Sequence, residues 1–127
     1  MIRKFLAVAS IGILTVSCQN EESKEDTLFT KLDSEITGID FTNQLEYDAE
    51  FNVYTYRNYY NGGGVSIGDI NNDGLVDVYL TSNLGPNKLY LNEGGLHFKD
   101  ISESAGVSGD KAWSTGVTMA DVDGDGW

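Results

Sequence analysis

The sequence predicts an all-β chain, built from antiparallel blades of a β-propeller and incomplete within these 127 residues. Three observations predict it. Short apolar segments of strand length alternate with glycine-bearing turns. One stretch of sequence recurs 52 positions on, from Asp69 to Asp121. The 15 glycines, single proline and seven tyrosines suit a β-rich domain with many turns.

The recurrence reaches beyond the aspartates. Gly64-Val65-Ser66-Ile67-Gly68-Asp69 aligns with Gly116-Val117-Thr118-Met119-Ala120-Asp121. Small, β-branched, hydroxyl, apolar, small and acidic residues follow in the same order. Self-similarity at a period of roughly 40–50 residues is the mark of repeat architectures such as propellers. One unit cannot bury its apolar face alone, and about three or more are normally required. The chain holds one full period and the start of a second, too little to close a ring of about 4–8 four-stranded blades. It therefore reads as the N-terminal piece of a longer protein, cut inside the second motif at Trp127.

The organisation predicted along the chain is a signal peptide over 1–17, an acidic tether over 18–27, N-terminal lead-in strands over 28–60, and a first repeat with the start of a second over 61–127. Arg3 and Lys4 precede an apolar run from Phe5 to Val16. That run is shorter than the about 20 residues a bilayer span needs, and small residues and a cysteine follow it. Cys18 resembles the acceptor of a bacterial lipobox, although Thr15 stands where leucine is usual and Leu14 lies one place earlier. The resemblance implies lipidation at Cys18 and an outer-membrane lipoprotein. The acidic residues Glu21, Glu22, Glu25 and Asp26 after it are similar to the surface-export signals of Bacteroidetes lipoproteins. Asp26-Thr27-Leu28 resembles the short O-glycosylation site of the same bacteria. Cys18 is the only cysteine, so no intramolecular disulfide forms.

Charge narrows the partners. The whole chain carries −12, and removal of residues 1–17 leaves 20 acidic against 6 basic side chains. Such a surface disfavours nucleic acid and anionic membranes as direct partners. The membrane is reached through the lipid at Cys18 alone.

The elements follow in order. Glu35 to Phe41 has a period of two, with Ile39 and Phe41 on one face. Phe51 to Tyr56 reads as a strand because β-branched and aromatic residues fit a pleated surface. Asn61 to Gly64 is a turn, and Val65-Ser66-Ile67 is a strand entering the acidic loop. Val76 to Thr81 alternates, with Val76, Val78 and Leu80 on one face. Asn83 to Asn87 is a loop. Lys88–Asn92 and Leu96–Asp100 are strands joined by Glu93-Gly94-Gly95, with Leu96 and Phe98 facing one side. Ser102 to Ala105 forms one helical turn before Gly106. Four strands thus fall between corresponding points of the repeat.

Residues 69–77 read D-x-N-x-D-G-x-x-D, with three carboxylates in nine positions. Like charges so close call for a cation. Calcium takes about six to eight oxygen ligands in flexible geometry. Asp69, Asn71 and Asp73 offer side-chain oxygens, Leu75 its main-chain carbonyl, and Asp77 a carboxylate from the following strand. Gly74 permits the bend. In the second loop Asp121, Asp123 and Asp125 take the side-chain roles and Trp127 the carbonyl role. Hard oxygen donors without histidine or cysteine favour calcium over zinc or copper. An EF-hand starts alike, but it needs a bidentate glutamate at its twelfth position, where this chain has Leu80. Asn72-Asp73-Gly74 is also plain turn chemistry.

Gly64 to Asp69 followed by the acidic loop resembles the FG-GAP, or VCBS, repeat of integrin-α-like β-propellers. Pro86 to Asn92, then Phe98 to Ile101 and Ala105 to Val107, is similar more narrowly to the cartilage-acidic-protein-like family, which pairs such repeats with a C-terminal ASPIC/UnbV domain. The resemblance covers roughly residues 28–127 and is closest from 61 onward. It implies a calcium-stabilised propeller of seven or so blades, secreted or surface-bound, used for binding, with no reaction attached.

No catalytic constellation competes. His97 is the single histidine and sits on an alternating strand beside Lys99. Gly62-Gly63-Gly64 lacks the G-x-G-x-x-G spacing of a phosphate cradle. Tyr54, Tyr56, Tyr59 and Tyr60 suit packing better than sugar stacking. The functional expectation is a lipid-anchored, calcium-binding surface propeller that binds protein or glycan and is not an enzyme. The alternatives are a polysaccharide-active enzyme on the same scaffold and a purely structural envelope lipoprotein.

Overall fold

A computed structural model describes residues 27–110 and 113–124. The signal peptide, Cys18, Asp125 and Trp127 lie outside the described residues. The chain divides into two units, one ending at Thr30 and one beginning at Lys31. Of the first, residues 27–30 are described, and all four are exposed. Among the described residues no helix is long and apolar enough to cross a membrane.

The second unit is built on one four-stranded antiparallel sheet in the order β1-β2-β3-β4. The strands are β1 (Val65–Gly68), β2 (Asp77–Leu80), β3 (Lys88–Asn92) and β4 (Phe98–Asp100). Sequence neighbours pair throughout, as in a meander, so each connection is local and short. The register sets Val78 between Ile67 and Tyr90, and Tyr79 between Ser66 and Leu89. Tyr90 in turn faces Asp100. This is the all-β blade that the alternating segments predict. β3 matches its expected span, β1 runs one residue further, to Gly68, and β2 is one residue shorter at each end.

Two one-turn helices flank the sheet, α1 (Ser34–Thr37) and α2 (Ser102–Ala105). Each stops at a left-handed glycine, Gly38 at φ 76° and Gly106 at φ 69°. A glycine in that region ends a helix without the clash of a Cβ.

The buried side chains are unusually polar for so small a unit. Among the described residues, Tyr59, Leu89 and Tyr90 are the buried apolar ones, against Ser66, Asp77, Thr81, Ser82, Asn83, Asn87 and Ser102. Buried polar groups need partners, and Asp77, Thr81, Ser82, Asn83, Asn87 and Ser102 have them. Ser102 Oγ accepts the Leu89 N–H at 2.8 Å, and Asn87 Oδ1 accepts the Ser82 N–H at 2.9 Å. Thr81 Oγ1 accepts the Gly64 N–H at 2.6 Å and donates to the Thr115 carbonyl at 2.5 Å. The close approach at Thr81 excludes a side chain from Gly63, where a Cβ would stand 1.9 Å from the Thr81 carbonyl oxygen.

Three local expectations are corrected. Phe51–Tyr56 is not a strand but a series of turns. Asp48 Oδ1 accepts the N–H groups of Glu50 and Phe51 at 2.8 and 2.7 Å, and Asn52 Oδ1 accepts that of Tyr54 at 2.9 Å. These local side-chain bonds offer the main chain an alternative to a ladder. The aromatics pack into a cluster instead: Phe51 lies 5.3 Å from Tyr59 and 5.1 Å from Trp113 between ring centroids. Leu96 belongs to a turn at φ 64°, and β4 begins at Phe98. The Gly94 carbonyl accepts the His97 N–H at 3.0 Å and closes that turn. Residues 34–37 are helical rather than extended. The two-residue period survives beyond them, since Ile39 and Phe41 are half-buried and Gly38, Asp40 and Thr42 exposed.

Candidate metal centre

The acidic loop connects β1 to β2, and its two ends meet at one rung of the ladder, because Gly68 pairs with Asp77. The chain must reverse in eight residues, 69 to 76. Asn72 at φ 57° and Gly74 at φ 84° supply the left-handed positions that reversal needs. Asparagine and glycine enter that region most readily.

The loop's side-chain oxygens are turned onto its own main chain. Asp69 Oδ2 accepts the Gly74 N–H at 2.8 Å, and Asp69 Oδ1 accepts those of Asn71 and Asp73 at 3.3 and 3.2 Å. Asn71 Oδ1 accepts the Asp73 N–H at 3.3 Å, while Asn71 Nδ2 donates to Asp73 Oδ2 at 2.9 Å. Asp73 Oδ1 accepts the Leu75 N–H at 2.8 Å. The Gly74 N–H, then those of Asp73 and Asn71, hold the Asp69 carboxyl below the ordinary carboxylate range, against the opposing effect of burial.

Asp77 stands apart from these three. It is fully buried at the first position of β2. Its Oδ2 accepts the Ile70 N–H at 2.9 Å and its Oδ1 the Asn92 N–H at 2.7 Å. One carboxylate therefore joins the start of the loop, the start of β2 and the end of β3. Among the described residues no three His, Cys, Asp or Glu side chains meet at a common point.

The donor chemistry of the loop fits a hard cation. Asp69, Asn71, Asp73 and Asp77 present side-chain oxygens, and Leu75 has its main-chain carbonyl. A carboxylate oxygen that accepts one N–H retains a second lone pair. β2 follows the loop at once, so the flanking helix of an EF-hand is absent, and Leu80 lies in that strand.

The second loop begins beside the first. Residues 114–119 run along the sheet. The Ser114 N–H donates to the Ser82 carbonyl at 3.3 Å, and a Cβ on Gly68 would stand 2.9 Å from Met119 Sδ. Asp69 and Asp121 line one open cleft of about 490 Å³ with Ile70, Met119 and Ala120. Asp121 Oδ1 accepts the N–H groups of Asp123 and Gly124 at 3.3 and 2.7 Å, so this loop turns on its first aspartate as the other does.

The sequence motif missed several residues that position this region. Asn92 read only as the end of a strand and Asn83 only as a loop residue. Asparagine at a turn is common, and nothing in the sequence pairs Asn83 with Asn43 or Asn92 with Val76. His97 is exposed, as expected of a solvated residue. Tyr56 and Tyr59 enter the aromatic cluster, whereas Tyr54 is 95% exposed.

Comparison with known proteins agrees with the sheet and the loops. The FG-GAP-like repeat family matches residues 69–127. Cartilage acidic protein 1 of Xenopus tropicalis is 39% identical over 70 residues, covering 54% of this chain and 11% of that protein. The proteins of the same name from Mus musculus and Homo sapiens are each 38% identical, over 65 and 68 residues, covering 51% and 54% of this chain and 10% of each relative. The chain thus spans about a tenth of the length of these curated relatives. No solved structure matches it. A four-stranded antiparallel meander, two acidic loops in register and this kinship agree with one another. Residues 69–127 form an FG-GAP-like repeat, and about half of the chain is similar to cartilage acidic protein 1.

Proposed function

We propose that this chain belongs to a lipid-anchored, calcium-binding cell-surface propeller that binds protein or glycan. The observation that carries the reading is the loop between β1 and β2. It gathers Asp69, Asn71 and Asp73 on one tight reversal, with Asp77 at its closing rung. Calcium bound there would offset the repulsion among these carboxylates and hold the loop rigid. Asp69, Asn71, Asp73 and Asp77 would supply side-chain oxygens and Leu75 its carbonyl. In the second loop Asp121 and Asp123 would do the same, with Asp125 and Trp127 completing it. The anchor is Cys18, from the layout of residues 1–18. An acidic surface and a rigid sheet suit a binding role, with proteins or glycans at the cell surface as partners and no turnover.

Calorimetric titration of the full chain with calcium tests the central claim. Saturable binding is expected, and Asp73→Ala should weaken it about tenfold or more at the first loop. Affinity unchanged by Asp73→Ala would rule out the ligand assignment. Metabolic lipid labelling that persists in Cys18→Ser would remove the anchor. Glycan-array or pull-down binding that survives chelation would leave calcium no part in recognition.

A further inference from the structure

The loop is braced from outside by a residue that offers it no ligand. From the hydrogen bonds around β3 we infer that Asn92 is a positioning residue for the cation loop, an inference that rests on the calcium reading above. Asn92 closes β3 and uses three of its groups at once. Its N–H donates to Asp77 Oδ1 at 2.7 Å, its Nδ2 donates to the Val76 carbonyl at 3.0 Å, and its Oδ1 accepts the Gly94 N–H at 2.9 Å. The first two bonds grip consecutive residues, Val76 and Asp77, at the point where the loop returns to the sheet. The third makes the same side chain part of the β3–β4 turn.

The consequence is mechanical. Asp77 Oδ2 holds Ile70 at the loop's outward end. Asn92 holds the inward end. Both ends of the loop are therefore referred to one rigid hairpin. Leu75, whose carbonyl is a candidate ligand, lies against the same hairpin: its Cδ1 is 3.9 Å from where a Cβ on Gly94 would stand. Asp69, Asn71 and Asp73 are exposed or half-buried and bonded mainly within the loop. They have little else to fix their distance from Asp77. Groups that orient ligands without touching the metal typically change affinity about 10–100-fold when removed.

The test uses the full chain as wild type, Asn92→Ala and Asn92→Ser. The serine hydroxyl preserves the turn bond to Gly94, since serine makes the same local turn more weakly, but it is too short to reach the Val76 carbonyl. Calcium affinity is measured by calorimetry, and the melting temperature by circular dichroism in EDTA and in millimolar calcium. Both variants should bind calcium about tenfold more weakly, and the rise in melting temperature on adding calcium should shrink. A residue that only stabilises the sheet would lower the melting temperature equally in both buffers and leave affinity unchanged. That result, in Asn92→Ser even if Asn92→Ala fails to fold, overturns the inference while the calcium reading stands. A wild type that binds no calcium overturns both.

Discussion

Asn43 and Asn83, 40 residues apart in sequence, hold each other by two hydrogen bonds. Asn43 Nδ2 donates to Asn83 Oδ1 at 2.7 Å, and the Asn83 N–H donates to Asn43 Oδ1 at 3.0 Å. Asn83 is fully buried, and its Nδ2 also donates to the carbonyls of Gly62 and Ser114 at 3.0 and 2.8 Å. One amide thus joins the segment before the sheet, the turn into β1 and the segment that starts the second repeat.

Replacing Asn83 by alanine removes the acceptor of Asn43 Nδ2 and the Nδ2 donor to the Gly62 and Ser114 carbonyls, while the main-chain bond to Asn43 Oδ1 remains. Buried polar groups stripped of a partner cost about 1–3 kcal/mol each at most, and losses within one network overlap. Asn83→Ala should destabilise by about 2–4 kcal/mol in urea denaturation. Asn61→Ala, at an exposed position nearby, should change stability by less than about 0.5 kcal/mol. Equal effects would deny Asn83 its role.

The Lys88–Asp100 pair predicts a loss of stability in acid. Burial pushes the Asp100 carboxyl up. Hydrogen bonds from Lys88 Nζ, Ser102 Oγ and the Ser102 N–H outweigh that and hold it at about 2. The unfolded carboxyl titrates near about 3.9, so the unfolded chain binds the proton first as pH falls. The contribution is complete above about pH 4 and lost progressively toward pH 2. The side chains are 31% and 34% exposed, so solvent screening reduces the contribution to about 1 kcal/mol. Chemical denaturation across that range should show a shallower acid limb in Asp100→Asn than in wild type.

Tyr90 predicts a late-titrating phenol. Burial, then its hydrogen bond to Asp40 and the charge of that carboxylate, push its hydroxyl up to about 12. The hydroxyl donates to Asp40 Oδ1 at 3.0 Å. A raised pKa means the native state keeps its proton longer. This stabilisation is therefore complete below about pH 10 and lost as pH rises toward 12. Absorbance titration of phenolate should show a late component that Tyr90→Phe removes. Tyr90→Phe should also cost about 1 kcal/mol near neutrality for the lost hydrogen bond.

Tyr59 predicts the opposite sign. Its ring is fully buried among Phe51, Tyr60 and Trp113, yet its hydroxyl has no hydrogen-bond partner among the described residues. Burial raises the hydroxyl's pKa. Removing a desolvated, unpartnered hydroxyl while keeping the ring should stabilise by about 1 kcal/mol. A lower melting temperature for Tyr59→Phe would show that the hydroxyl is satisfied in solution, by water for instance.

Much of the sheet was legible because its strands are short, alternating and punctuated by glycine. Lys88–Asn92 reads as a strand from its apolar alternation alone and is one. Phe51–Tyr56 has equally good strand composition, but Asp48 and Asn52 lie close enough to bond its main chain into turns. Propensity lost there to local hydrogen bonds that need a particular side-chain direction. Val76 and Asp77 make the same point for burial. Alternation marks valine as the inward residue, yet Val76 is 47% exposed and Asp77 fully buried. Two main-chain donors, Ile70 in the loop and Asn92 at the end of β3, made burial of the carboxylate favourable.

By itself the sequence determined the repeat, the four strands, and the oxygen-rich loop with its spacing, because periodicity, turn chemistry and charge density act between neighbours along the chain. Tertiary structure alone decided which asparagines became fastenings, that Asp77 faces Asn92, and that the loops beginning at Asp69 and Asp121 share a cleft. Those outcomes depend on main-chain donors and acceptors brought together from distant segments, and single residue types do not encode which partner will arrive.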